Sequence, residues 1–115
     1  MTKIHELRVW HEARAVVRTV REFTESMRDA CGLRDQMRRA AVSIASNISE
    51  GAGHRSDAEL RRFLTMARGS AAELQAQLAI ASDAGYVELS VFNQLDERID
   101  HVRRMLSAFI IRLSG

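Results

Sequence analysis

Arg14, Arg18, Arg21 and Arg28 recur at steps of four, three and seven, the spacing that lines side chains along one face of a helix. A row of guanidinium groups at that pitch could grip successive phosphates, because each presents a planar fork of donors matched to phosphate oxygens. His54 and Arg55 follow Gly51-Ala52-Gly53 in what reads as an exposed turn, and could touch a phosphate from there. The same Arg row also fits a solvated face laced by Arg-Glu helix pairs, with Glu25 among its members. Nucleic acid held in this way, RNA or DNA, would be bound weakly and without sequence preference, since the chain carries no base-reading motif.

A second set of reactive side chains is Arg39, Ser43 and Asn47 with Ser70 and Glu73. A hydrolytic site can be assembled from such types, but no His or Cys is placed to activate Ser43 or Ser70, so catalysis is not expected. The set reads instead as a partly buried polar network, with Arg39 and Glu73 as an ion pair that would strand a charge if either were removed. Two further chemistries fail on spacing. The glycines before Ser56 lack the Gly-x4-Gly-Lys-Ser/Thr pattern of a phosphate loop and no strand precedes them. No Asp or Glu has a His three residues later, so a carboxylate-bridged metal bundle is not expected, and no cofactor is implied.

These side chains need helices to position them. Val9, Ala13, Val16, Val20, Phe23 and Met27 form a heptad seam that predicts a first helix over about residues 3 to 29, closed by Cys31-Gly32. Met37, Ala41, Ile44 and Ile48 form the seam of a second helix, from near Leu33 to Gly51. The third, about 56 to 84, opens on the capping box Ser56-Asp57-Ala58-Glu59 and carries Leu60, Leu64, Ala67, Ala71, Leu74, Leu78 and Ala81. The fourth, about 90 to 113, carries Phe92, Leu95, Ile99, Val102, Leu106, Phe109 and Leu113. Four seams joined by short Gly-containing breaks predict an all-α, antiparallel up-down-up-down four-helix bundle in one domain spanning residues 1 to 115.

Helices two and three also carry stripes of short polar residues. The second has Gln36, Arg39, Ser43, Asn47 and Glu50, and the third has Arg62, Gly69, Ser70, Glu73 and Gln77. Ser and Asn are unusual on an exposed helix face, so the stripes are expected to face each other. Leu7 and Trp10 fall off the first seam, while Ile110 and Ile111 widen the fourth. All four are expected in an interface with further copies of the chain, because a monomer of this size could not readily bury them.

The strings Leu7-Arg8-Val9-Trp10 with Ala13, Gln36, Arg38-Arg39-Ala40-Ala41-Val42-Ser43-Ile44, Ser46-Asn47-Ile48 and Glu50-Gly51 resemble a known signature, and the likeness continues through Phe63-Leu64, Ala67-Arg68-Gly69-Ser70 and Glu73-Leu74. The signature is that of the bacterial four-helix-bundle proteins of 23S rRNA intervening sequences, a family that includes the accessory variability determinant of diversity-generating retroelements. Ala45 stands where the family usually has Pro, and Ser49 where it usually has Ala. The resemblance implies an oligomer, and its retroelement members imply a homopentameric barrel whose basic surface engages nucleic acid and a reverse transcriptase.

Composition sets the outer bounds. The chain has 115 residues, 46% of them hydrophobic and 5% aromatic, with no Pro, which favours helices packed through small and aliphatic side chains. One cysteine, no apparent leader and no long apolar run predict a soluble, cytoplasmic protein without a membrane partner. Net charge is only +2, but residues 1 to 55 carry ten basic and seven acidic groups, so the excess lies on the first two helices. The expected function is that of a non-catalytic oligomeric adaptor for nucleic acid or a nucleic-acid enzyme. The alternative is a purely structural bundle with a protein partner.

Overall fold

The computed structural model describes residues 7–27 and 31–115, which form four helices, α1 (Arg8–Thr24), α2 (Leu33–Ala52), α3 (Asp57–Asp83) and α4 (Leu89–Ser114). They pack as a four-helix bundle measuring 43 × 20 × 19 Å, with no strand among the described residues. All four seams point inward. Val16, Val20, Met37, Ile44, Leu64, Leu74, Leu78, Ile99 and Leu106 are wholly buried. Each leucine or isoleucine so buried contributes roughly 1.5–3 kcal/mol relative to an exposed one.

Side-chain contacts fix the order of the helices. Ser43 meets Ser70 and Gly51 lies against Phe63, so residue numbers rise along α2 as they fall along α3. Gln75 bonds Asp96, Arg68 bonds Ser107 and Arg61 bonds the Leu113 carbonyl, which gives α3 and α4 the same relation. Helix α3 is therefore flanked along its length, by α2 on one side and α4 on the other.

The loops follow from local chemistry, and the first differs from expectation. Helix α1 stops at Thr24, well before Cys31-Gly32. The Thr24 hydroxyl donates to the Val20 carbonyl at 2.7 Å, and Arg38 reaches across from α2 to donate from Nε to that hydroxyl at 2.8 Å. The same guanidinium donates to the Arg21 carbonyl at 3.4 Å and bridges the Glu25 carboxylate at 3.3 Å. A cation from another helix thus satisfies the exposed C-terminal end of α1, where orphan carbonyls carry partial negative charge. Met27 stays buried beyond the helix end, so its place in the seam reflects burial rather than helix. Arg38→Ala should cost about 1–2 kcal/mol, since it leaves the buried Thr24 hydroxyl short of a partner while part of the guanidinium bonding is to water-exposed groups. Thermal unfolding at fixed protein concentration measures this, and an unchanged midpoint would remove the clamp from the stability of α1.

Gly32 takes the left-handed conformation, at φ 78°, as the residue before α2 rather than as the cap of α1. Gly85 takes it at φ 76° after α3, where Tyr86 N donates to the Ala81 carbonyl and Gly85 N to the Ser82 carbonyl, closing the last turn. Ser56 caps α3 by accepting from Glu59 N at 3.2 Å. The reciprocal half of the expected capping box is absent, because the Glu59 carboxylate turns to Arg62 instead, at 3.0 Å.

Candidate nucleic-acid interface

Helix α1 buries Val9, Ala13, Val16 and Val20, and this burial turns Arg14, Arg18 and Arg21 outward to exposed positions. Arg14 lies over the Trp10 ring, 4.7 Å from its centroid. Trp10, Arg14, Val17 and Arg18 form one wall of an open groove of about 670 Å3 between α1 and α2, and Val42, Ala45, Ser46, Ser49 and Glu50 form the other. Arg18 and Arg21 also border a second hollow with Glu22 and Glu25, so acid stands beside base toward the end of α1. Arg28 lies outside the described residues.

His54 and Arg55 are not brought into this row. His54 stacks on Phe63 of α3, with ring centroids 5.3 Å apart, and lies 3.8 Å from Glu50. Its ring therefore belongs to the α2–α3 side, while Arg55 is exposed in the turn. Arg62 lies over Phe63 as well, at 4.5 Å. The Arg62 hydrogen bond holds the Glu59 carboxyl below the usual carboxylate range, and the charges of Arg62 and His54 add to the effect. The favourable contribution of that carboxylate is present above the ordinary carboxylate pKa and is lost as pH falls through the depressed one.

The polar network forms only at its centre. Ser43 Oγ and Ser70 Oγ share a 2.8 Å hydrogen bond, and Asn47 Nδ2 donates to Ser43 Oγ at 3.1 Å and to the Ser43 carbonyl at 2.9 Å. The expected Arg39–Glu73 pair is absent. Both residues are exposed, no ion pair joins them among the described residues, and the Glu73 carboxylate accepts from Gln77 Nε2 at 3.3 Å. The short hydroxyls fit the α2–α3 contact line, whereas the long charged chains sit farther round each helix and extend into water. Gln77, which periodicity marks only as a member of the stripe, is 7% exposed, and its Oε1 has no hydrogen-bond partner among the described residues. Gly69 leaves open space where a Cβ would stand, so it does not serve close packing of α2 on α3.

This arrangement lowers the cost of removing Glu73. Glu73→Ala should cost about 1 kcal/mol, since it removes the acceptor of the buried Gln77 amide but strands no charge, and Ser70→Ala should also cost about 1 kcal/mol by leaving Ser43 without its cross-helix partner. Urea unfolding of the two variants side by side is the measurement. A loss of several kcal/mol for Glu73→Ala would show that the carboxylate is buried after all.

The residues expected at an oligomer interface divide. Leu7 is buried in the core of its own chain, a correction that follows from its backbone: it precedes α1 in an extended conformation, where helical periodicity does not assign a face. With Val9 it borders a hollow against Met105 and Phe109 of α4. Trp10 and Ile110 are half-buried against the core, and Ile111 is 71% exposed. Val42, Met66, Ile80 and Leu89 are also large, apolar and exposed. Of these, the sequence signal is clearest for Val42, an apolar residue one step outside the seam through Ala41 and Ile44.

Among the described residues no group of three His, Cys, Asp or Glu is placed to hold a metal ion, and no helix is long and apolar enough to cross a membrane. The family model for the 23S rRNA-intervening sequence protein matches residues 5–108. A solved structure from Bacteroides thetaiotaomicron, described as a protein of unknown function from the S23 ribosomal protein family, superposes with a TM-score of 0.81 at 21% identity. The match covers 89% of this chain and 97% of that one. No curated protein matches the chain.

Proposed function

The chain belongs to the family of 23S rRNA-intervening sequence proteins, and from that membership we propose a non-catalytic, oligomeric adaptor that binds nucleic acid, or a nucleic-acid enzyme, through the Arg face of α1. The observation that carries this reading is the row Arg14, Arg18 and Arg21, held outward by a buried face and bordering the α1–α2 groove. A non-catalytic role is supported by the polar network, where Ser43 and Ser70 bond each other and Asn47 donates to Ser43, with no acid, His or Cys joined to either hydroxyl among the described residues. A homo-oligomer is supported by the exposed Ile111 and Ile80. The number five, and a reverse transcriptase as the enzyme partner, rest on the family resemblance alone. A ring would repeat the Arg row around its axis and turn a modest charge per chain into a multivalent surface.

A second reading is supported by Glu22 and Glu25, which stand beside Arg18 and Arg21 and make part of this face a solvated, charge-balanced one. In that case the chain is a structural bundle with a protein partner. Two measurements separate the readings. Retention of labelled RNA or DNA at low salt that weakens steeply as salt rises is expected of the adaptor, and no retention would leave the structural bundle. Light scattering coupled to size exclusion should give a mass about five times that of the chain. A monomer mass across micromolar concentrations would overturn the oligomer, while a dimer or tetramer would reject only the pentamer.

A further inference from the structure

We infer that the α1–α2 groove is a track for single-stranded nucleic acid, with Arg14 and Arg18 on the backbone phosphates and Trp10 and Val42 against the bases. The inference rests on the nucleic-acid reading above. The groove places charge and apolar surface side by side. Arg14 and Arg18 stand one helical turn apart, about 6 Å, on the α1 wall, while Val17, Val42 and Ala45 supply apolar lining and Val42 is 49% exposed. A duplex offers a protein its phosphates and its grooves but keeps its base faces stacked inside, so it has no use for an apolar floor. A single strand offers phosphates and base faces together, and proteins that bind one combine a row of cations with aromatic platforms.

The charge pattern points the same way. The cations lie on the α1 wall alone, and the facing wall is uncharged at Ser46 and Ser49 and acidic at Glu50. One row of cations serves one backbone, and Glu50 repels a second. The Arg14 guanidinium, placed over the Trp10 ring 4.7 Å from its centroid, combines with the indole into one platform that carries charge and a π-face.

Trp10 is the only tryptophan, so its emission reports on this groove. The full chain is titrated at low salt with a 15-nucleotide oligouridylate, a 15-nucleotide oligothymidylate and a 15-base-pair blunt duplex. Binding is followed by Trp10 emission and by anisotropy of end-labelled strands. Single strands are expected to quench Trp10 and to bind at least about tenfold more tightly than the duplex, in line with the stacking contributed per base. Val42→Gln, an exposed and charge-neutral change, should reduce that preference toward unity without altering the salt dependence. The Arg14→Gln/Arg18→Gln double variant should weaken binding of single strands and lower the salt slope by about 1.4, at about 0.7 for each phosphate no longer neutralised. Helix content by circular dichroism checks that each variant is folded. Duplex bound as tightly as single strand, or single strand bound with Trp10 emission and Val42→Gln both without effect, overturns the track and leaves the nucleic-acid reading standing. Failure of any strand to bind overturns both and leaves the groove to a protein partner.

Discussion

Leu74→Ala should lower the unfolding free energy by about 3–5 kcal/mol, the upper part of the range for deleting a fully buried leucine side chain. The cost of such a deletion depends on how far the surroundings collapse into the cavity, and here they are held on both sides. On the α2 side, Ser43 and Ser70 are bonded one turn from Leu74. On the α4 side, the neighbouring Gln75 donates to the Asp96 carboxylate and accepts from the Arg103 guanidinium. Both clamps keep the flanking helices at their present distance, so much of the cavity should remain open. Domains are typically stable by only about 5–15 kcal/mol, so the loss is a large fraction of the total. Urea unfolding followed by helix content, at one fixed protein concentration, should show a lower midpoint with an unchanged slope. A loss under about 1.5 kcal/mol would mean that α2 and α4 close on the site, and the clamps would then hold little.

The four seams are legible in the sequence because burial repeats with the helical period: Val9 through Val20, Met37 through Ile48, Leu60 through Ala81 and Leu95 through Leu106 all point inward. The ends of the helices are less so. Met27 continues the first seam and is buried, yet the helix has already stopped at Thr24. The end is held by Arg38, a residue fourteen positions away on a neighbouring element, and no local pattern near Thr24 signals a contact of that kind. Leu7 escapes its expected place for a related reason, since it lies outside the helix whose period would assign it a face.

At the candidate sites, residue type separates what is legible from what is not. Ser43, Asn47 and Ser70 are short, so their position on the α2–α3 line is enough to bring them together. Arg39 and Glu73 belong to the same stripes, but their chains are long enough to leave the contact line for water, and the expected pair does not form. For Arg14, Arg18 and Arg21 the spacing places all three on the outward side of α1, where they are exposed. The groove that Arg14 and Arg18 border is not visible in the sequence, because its second wall comes from α2, where Val42, Ala45, Ser46 and Ser49 show no shared motif.

Gly51→Val should cost about 3 kcal/mol, the upper end of the usual range for overpacking a close contact. A Cβ at Gly51 would stand 2.8 Å from Phe63 Cβ and 3.1 Å from Leu60 Cδ1, so a side chain there pushes on the first turns of α3. Phe63 Cβ is fixed by its own helix backbone and cannot swing aside as the end of a long chain would. Displacing it also disturbs the ring that His54 stacks on and that Arg62 covers. Gly51→Ala tests the same contact with one methyl group and should cost less than Val, because better helix propensity returns up to about 1 kcal/mol. Gly69→Ala is the internal control. It lies within α3 with open space around it, so the same glycine-to-alanine change should stabilise the protein by about 0.5–1 kcal/mol. Thermal unfolding of the three variants gives the answer by sign: destabilised at Gly51, more so with Val than with Ala, and stabilised at Gly69. A Gly51→Val protein as stable as the parent would show that α2 and α3 can separate at this end without cost, and the close approach would then have no part in holding the bundle.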